Sequence, residues 1–329
     1  MIVGPLKNNA QLSVIILSII CVALWLNSSI FSTNSSIFSN SPEHIAYHFL
    51  SNHFPSFWFN QIIKLLVIIG GAILLNILVI SQEIVSKTNY IPAFFYILFA
   101  FSTSSNPAIE PILLANLFVI PAFYFLMESY REDQALTAFF KAGLFMGLAV
   151  FFYVYYLYLF PLTFIALIIL RAFNWREWTI LFIGLFLPTY IFWSLNYLGP
   201  GDFSETMSLI KEVLTNFKRP IMSEYHIAFF FVIILLFVFA LFQNMSKGFG
   251  NKVKTKKTKL ILLWMLTVCV LLCFFKQNDN FILIPCMIPL SILIGDYLAE
   301  VRQLKVSNTL LTLCLGAFIL VYFHTLGIV

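Results

Sequence analysis

Residues 27–60 hold the side chains best placed to do chemistry: Glu43, His44, His48 and His53 stand together in a polar stretch between two long apolar runs. A carboxylate at the rim of a half-buried cavity is suited to take a proton from a hydroxyl, because partial desolvation strengthens it as a base. Ser41-Pro42-Glu43 also reads as a helix start, with a capping serine, a first-turn proline and an acid matched to the positive end of the helix dipole. Glu43 therefore fits two roles, general base or capping acid. His44 and His48 are four apart, so one helix face would bring both imidazoles to a divalent metal, with Glu43 or His53 as third ligand. There is no His-Glu-x-x-His pattern, and the plainer reading is a pair of interfacial histidines and no metal. Ile45, Phe49 and Leu50 share the opposite side and Trp58 would anchor the far end, so this stretch is expected to carry a helix lying flat in the membrane interface.

Such a loop needs a frame, and the composition supplies one. The 329 residues are 61% hydrophobic and 10% charged, with a mean hydropathy of +0.94, which no ordinary soluble domain shows. A helix needs about 20 apolar residues to cross a bilayer, and such runs recur along the chain. The roughly 10-residue alternating segments of a membrane β-barrel do not. The expected fold is all-α and polytopic, with about 11 spans near 11–26, 61–81, 90–104, 109–127, 136–153, 157–172, 178–197, 226–243, 259–275, 280–298 and 307–326. The first run is long enough to span and no small-residue cleavage pattern follows it, so it reads as a helix and not as a signal peptide.

Placing the N-terminus inside puts 14 of the 19 Lys and Arg on the inner side and 5 outside, as the positive-inside rule requires. An odd number of spans then puts the C-terminus outside, and the expected location is a bacterial inner (cytoplasmic) membrane. Six lysines in residues 247–259 read as a topology anchor that also attracts anionic lipid heads. The third span is short and runs into Ser105-Asn106-Pro107, so it is expected to tilt, thin the bilayer or re-enter.

Three further outer pieces join the first loop: residues 196–225 with the turn Gly199-Pro200-Gly201, residues 106–111 with Glu110, and residues 276–280 with Lys276 and Asp279. An acid at the edge of hydrocarbon is costly unless it faces a polar cavity, so Glu110 is either a site residue or a water-exposed acid at a helix start. Tyr153, Tyr155, Tyr156 and Tyr158 end the fifth span as an aromatic belt, from which one or two rings could stack on a sugar. The five cysteines lie in or beside apolar runs, and Cys269 and Cys273 lack the histidines of a metal site. The basic cluster is short and juxtamembrane, so nucleic acid is not an expected partner; membrane lipids are.

The order of these pieces carries a resemblance. A long outer loop with an acid, then Ser102-Thr103-Ser104 before Ile109-Glu110-Pro111-Ile112-Leu113, then Ala142-Gly143-Leu144-Phe145-Met146-Gly147-Leu148-Ala149, resembles the amino-terminal module of the C-type membrane glycosyltransferases. Phe281-Ile282-Leu283-Ile284-Pro285 with Pro289 resembles their tail. The resemblance implies a single membrane domain: a helical module over 11–197, an outer loop over 198–225 and a four-helix part over 226–329. It implies transfer of a mannose-like sugar from a polyprenyl-phosphate donor to an extracytoplasmic acceptor, without a cofactor. Glu43 would be the base and Glu110 a second acid near the donor, with Lys218, Arg219 and Lys276 on the lipid phosphate. His44, His48, Tyr153 and Tyr156 complete the candidate substrate-binding set.

The chain departs from that pattern in three places. Glu43-His44 stands where paired acids are frequent, Tyr153 stands near a usual lysine, and Asp279-Asn280 stands where an arginine is usual. Residues 170–178, Leu-Arg-Ala-Phe-Asn-Trp-Arg-Glu-Trp, also resemble an uncharacterised family of bacterial integral membrane proteins and read as a structural turn. The alternative from another class is a non-catalytic assembly subunit or a lipid or polysaccharide transporter. Against it, the sequence has no clear internal repeat and keeps most charges at span edges, Lys64 and Asp296 being the exceptions.

Overall fold

The computed structural model describes residues 10–31, 57–85, 89–103, 110–130, 132, 135–198, 231, 234, 237–238, 253–273, 286–301 and 304–325. All regular structure among them is helical. In order come α1 (Ala10–Phe31), α2 (Phe57–Ser81), α3 (Ile91–Thr103), α4 (Pro111–Glu128) and α5 (Leu136–Phe152). A 3-10 helix (Val154–Leu159) leads into α6 (Phe160–Leu170) and α7 (Trp175–Leu198), followed by α8 (Val253–Cys273), α9 (Met287–Glu300) and α10 (Leu304–Thr325). Three stretches, Asn60–Ser81, Pro111–Glu128 and Trp175–Ser194, are long and apolar enough to cross a membrane, and these mark a membrane protein.

The helices divide by what surrounds them. On α1, α2 and α7, large apolar side chains such as Ile19, Leu66 and Phe186 point outward, which suits a hydrocarbon surround. Residues 91–102 of α3, by contrast, are buried on every side, and so is nearly all of α9. A helix that is apolar all round belongs inside. This accounts for the short third span: the 13 residues of α3 rise only about 20 Å, against a hydrocarbon core of about 30 Å. Wrapped in other helices, α3 has no lipid to match. α3 and α9 meet where Gly295 lies on Pro92, so closely that a Cβ at Gly295 would fall on the proline ring.

Elsewhere, too, small residues let backbones touch, the usual means of association between membrane helices. A Cβ on Gly143 would strike the Leu181 carbonyl oxygen, one on Gly147 that of Leu185, and one on Gly184 that of Phe140. The paired positions advance together, 143 with 181 and 147 with 185, so α5 and α7 run parallel. α6 packs between them in sequence through an aromatic seam, in which Phe164 stacks on Trp178 at 4.7 Å and Phe160 meets Phe182 at 5.3 Å.

Several boundaries differ from the sequence expectation. α1 continues to Phe31, taking in the start of the stretch read as loop. The four-tyrosine block leaves α5 as a separate 3-10 turn, because Tyr153 is extended (φ −144, ψ 98). α8 begins at Val253, so half of the lysine-rich segment is helix and not loop.

Candidate functional site

Contacts sort the helix ends into two groups. At one end, Trp25 Nε1–H of α1 donates to the Gln61 carbonyl of α2 at 3.0 Å, and Tyr322 Oη–H of α10 donates to the Leu24 carbonyl at 2.7 Å. Phe151 near the end of α5 meets Phe192 near the end of α7, with ring centroids 4.9 Å apart. At the opposite end, the start of α8 binds its neighbours: Thr255 donates to the Glu83 carbonyl at 3.3 Å and Lys257 to the Leu170 carbonyl at 3.1 Å. Lys259 pairs with Asp296 at 2.5 Å.

The first end collects the polar residues that could act on a substrate. Glu110 precedes α4 with an extended backbone (φ −88, ψ 129), and its side chain does not cap the helix. The carbonyl does the local work, accepting from the Leu113 and Leu114 amides at 3.0 and 3.4 Å. The carboxylate turns inward, where only 3% of the residue is exposed, and its electrostatic partner is Lys64, 1% exposed, from the second turn of α2. An intramembrane charge persists only with such a partner.

Nearly two turns further along α4, the Asn116 Oδ1 accepts a very short hydrogen bond from the Tyr156 hydroxyl. Tyr153 stands edge-on to Tyr156, with centroids 5.1 Å apart and planes at 83°. Tyr96, Cys269 and Cys286 are electrostatic neighbours of the same phenol. Two buried polar groups thus make up the polar cluster at this end, Lys64 with Glu110 and Asn116 with Tyr156, the second drawing on α3, α4, α8, the 3-10 turn and the start of α9.

Of the residues singled out from sequence, Glu110, Tyr153 and Tyr156 fall in this cluster. Glu43, His44, His48, Lys218, Arg219 and Lys276 lie outside the described residues. Lys64 and Asn116 join the cluster without having been candidates. A lysine and an asparagine inside apolar runs were the available signal, but their partners, Glu110 and Tyr156, are 46 and 40 residues away in sequence. No group of three or more His, Cys, Asp or Glu among the described residues could hold a metal.

The opposite end is structural as far as it is described. Arg171, extended after α6, reaches Glu177 in the first turn of α7 at 3.5 Å and the Ser129 carbonyl at 3.3 Å. Asn174 accepts from the Arg176 amide through Oδ1 at 3.3 Å. Residues 171–174 therefore form the turn between α6 and α7, held by Arg171, Asn174 and Glu177.

A helical bundle with apolar outer faces and ion pairs sealed within it is an integral membrane protein. Over residues 29–329 the chain matches a family of unknown function, DUF6427, and it belongs to that family. This fits the second of the two resemblances, and the family brings no reaction with it. No curated protein and no solved structure matches the chain.

Proposed function

We propose that the protein is a multi-pass glycosyltransferase of a bacterial inner membrane, moving a mannose-like sugar from a polyprenyl phosphate to an extracytoplasmic acceptor. One observation carries this reading: every stretch holding an undescribed candidate departs from the end of the bundle that buries Glu110, Lys64, Asn116, Tyr153 and Tyr156. Residues 32–56 start and finish there, beside the Trp25–Gln61 tie. Residues 274–285, with Lys276, run between helices whose Cys269 and Cys286 both neighbour Tyr156. The stretch after α7, with Lys218 and Arg219, leaves from the same end. In the proposed topology this end is extracytoplasmic, with eleven spans, the N-terminus inside and the C-terminus outside.

In the reaction, Glu43 takes the proton of an acceptor hydroxyl while that oxygen bonds to the sugar's anomeric carbon. The bond from that carbon to the phosphate oxygen breaks, and polyprenyl phosphate leaves with the electron pair, inverting the centre. Positioning and one base suffice for such a displacement. Glu110, opposed by a cation, serves through its charge and not by proton transfer. Lys218, Arg219 and Lys276 hold the phosphate, while His44, His48 and the Tyr153 and Tyr156 region line the sugar side.

Membranes with the wild-type protein, with Glu43→Gln, or with neither are compared for transfer of radiolabelled sugar from polyprenyl phosphate mannose or glucose. Label is expected with wild type alone. Full activity of the Gln variant would remove Glu43 as base. No transfer by a folded wild-type protein would favour the second reading, a transporter or non-catalytic assembly subunit. The observation behind that alternative is the second buried ion pair, Lys259 with Asp296, at the far end of the bundle.

A further inference from the structure

A groove of about 350 Å³ opens between α1, α2 and α3, away from the polar cluster. Its walls are almost wholly apolar, and its lip is formed by Val14, Ile73 and Ile77, which are 53, 55 and 49% exposed. In a membrane protein such a lip faces hydrocarbon, so the groove is open to lipid and closed to water.

One polar side chain in it is out of place. Asn76 is 9% exposed, and its Oδ1 is buried with no hydrogen-bond donor. Ser18, on the facing wall, has its proton committed to the Ile15 carbonyl at 2.9 Å. A buried amide oxygen left without a donor bears its desolvation cost uncompensated, and in hydrocarbon no water comes to its aid. An occupant that brings a donor removes that cost.

Depth narrows the occupant's identity. Asn76 lies five residues before the end of α2 at Ser81, about 7.5 Å along the axis. In a helix somewhat longer than the hydrocarbon is thick, that is near the level where lipid chains join their polar linkage. From there the groove runs inward past Ala72 to Ile69 and Ile97, towards mid-bilayer. We propose that this groove binds one hydrocarbon chain of a membrane lipid whose linkage region carries a hydroxyl, the hydroxyl donating to Asn76. A hydroxyl also accepts, so it answers either end of the amide. The proposal does not rest on the glycosyltransferase reading.

The test uses full-length protein in lipid nanodiscs and two photoreactive probes, a diazirine-bearing long-chain alcohol and its methyl ether, with crosslinks mapped by peptide mass spectrometry. In the wild type, α1, α2 and α3 should be labelled by the alcohol about fivefold more than by the ether, the difference one hydrogen bond makes. Asn76→Leu should lower alcohol labelling to the ether's level. Ala72→Phe, which fills the groove, should suppress both. If Ala72→Phe does not fold, Ile73→Trp at the lip serves the same end, since that position is half exposed and needs no room in the core. Equal labelling of the wild type by alcohol and ether, or a folded groove-filling variant that labels normally, overturns the proposal.

Discussion

A lysine sealed against a glutamate inside an apolar bundle sets up an asymmetric energy. Removing one partner strands a charge and costs about 3–5 kcal/mol, whereas replacing both by apolar groups of similar volume is often neutral. For Lys64 and Glu110, both essentially unexposed, Lys64→Met and Glu110→Leu are each expected to lower stability by about that amount. The double variant should recover most of the loss. Unfolding of the four proteins in one detergent measures the coupling. Additive losses would mean that the two side chains do not act as a pair. The pair also bounds what the sequence could reveal at this scale. Lys64 is visible as a charge within an apolar run, and Glu110 as an acid between prolines. That they answer each other is a contact 46 residues apart, which local pattern does not encode.

At the α5–α7 contact helices assemble through small residues that let the backbones touch, and this is testable. Gly143 and Gly147 stand where a Cβ would fall on the carbonyl oxygens of Leu181 and Leu185, and backbone cannot yield as a side-chain tip can. Gly147→Leu is therefore expected to cost at least about 3 kcal/mol by overpacking. Gly316 of α10, with no atom within 4 Å of its would-be Cβ, is the control: Gly316→Ala should gain up to about 1 kcal/mol from helix propensity. Thermal unfolding of both variants checks the contrast, and equal effects would show that the α5–α7 backbones are not in contact. Such packing also explains which elements hydropathy revealed. The long α2, α4 and α7 are plain in the sequence, α2 and α7 with apolar side chains pointing outward and α4 with none exposed. α3 and α9 were legible as spans near 90–104 and 280–298 but not as interior helices, since burial among other helices removes the length requirement on which a hydropathy reading depends. The break between α5 and α6 was legible between spans ending at 153 and starting at 157, but its six-residue 3-10 form was not, because four tyrosines in six residues extend a hydrophobic run without continuing the helix.

Across the whole molecule, the contacts constrain topology more tightly than charge counting does. The chain enters α1 far from the Trp25–Gln61 tie, and α10 ends beside α1, where Tyr322 donates to the Leu24 carbonyl. The start of α1 and the end of α10 thus lie at opposite ends of the bundle, which agrees with the odd number of crossings in the proposed topology. α7 ends at the polar end and α8 starts at the lysine end, and of the residues between them Phe231, Ile234, Phe237 and Val238 are described and are helical. In the proposed topology the lysines gathered at the start of α8 lie on the cytoplasmic side, as the positive-inside rule favours. Fusing a reporter that is active only outside the cytoplasm after residue 329 should therefore give activity, and the same fusion after residue 250 should give none. A reporter that is fluorescent only in the cytoplasm should show the reverse. Activity at neither or both positions would make the number of crossings between residues 250 and 329 even, and would overturn the three crossings that α8, α9 and α10 make in the proposed topology. Activity at residue 250 alone would invert the bundle and move the polar cluster to the cytoplasmic face, where a donor in the outer leaflet could not reach it.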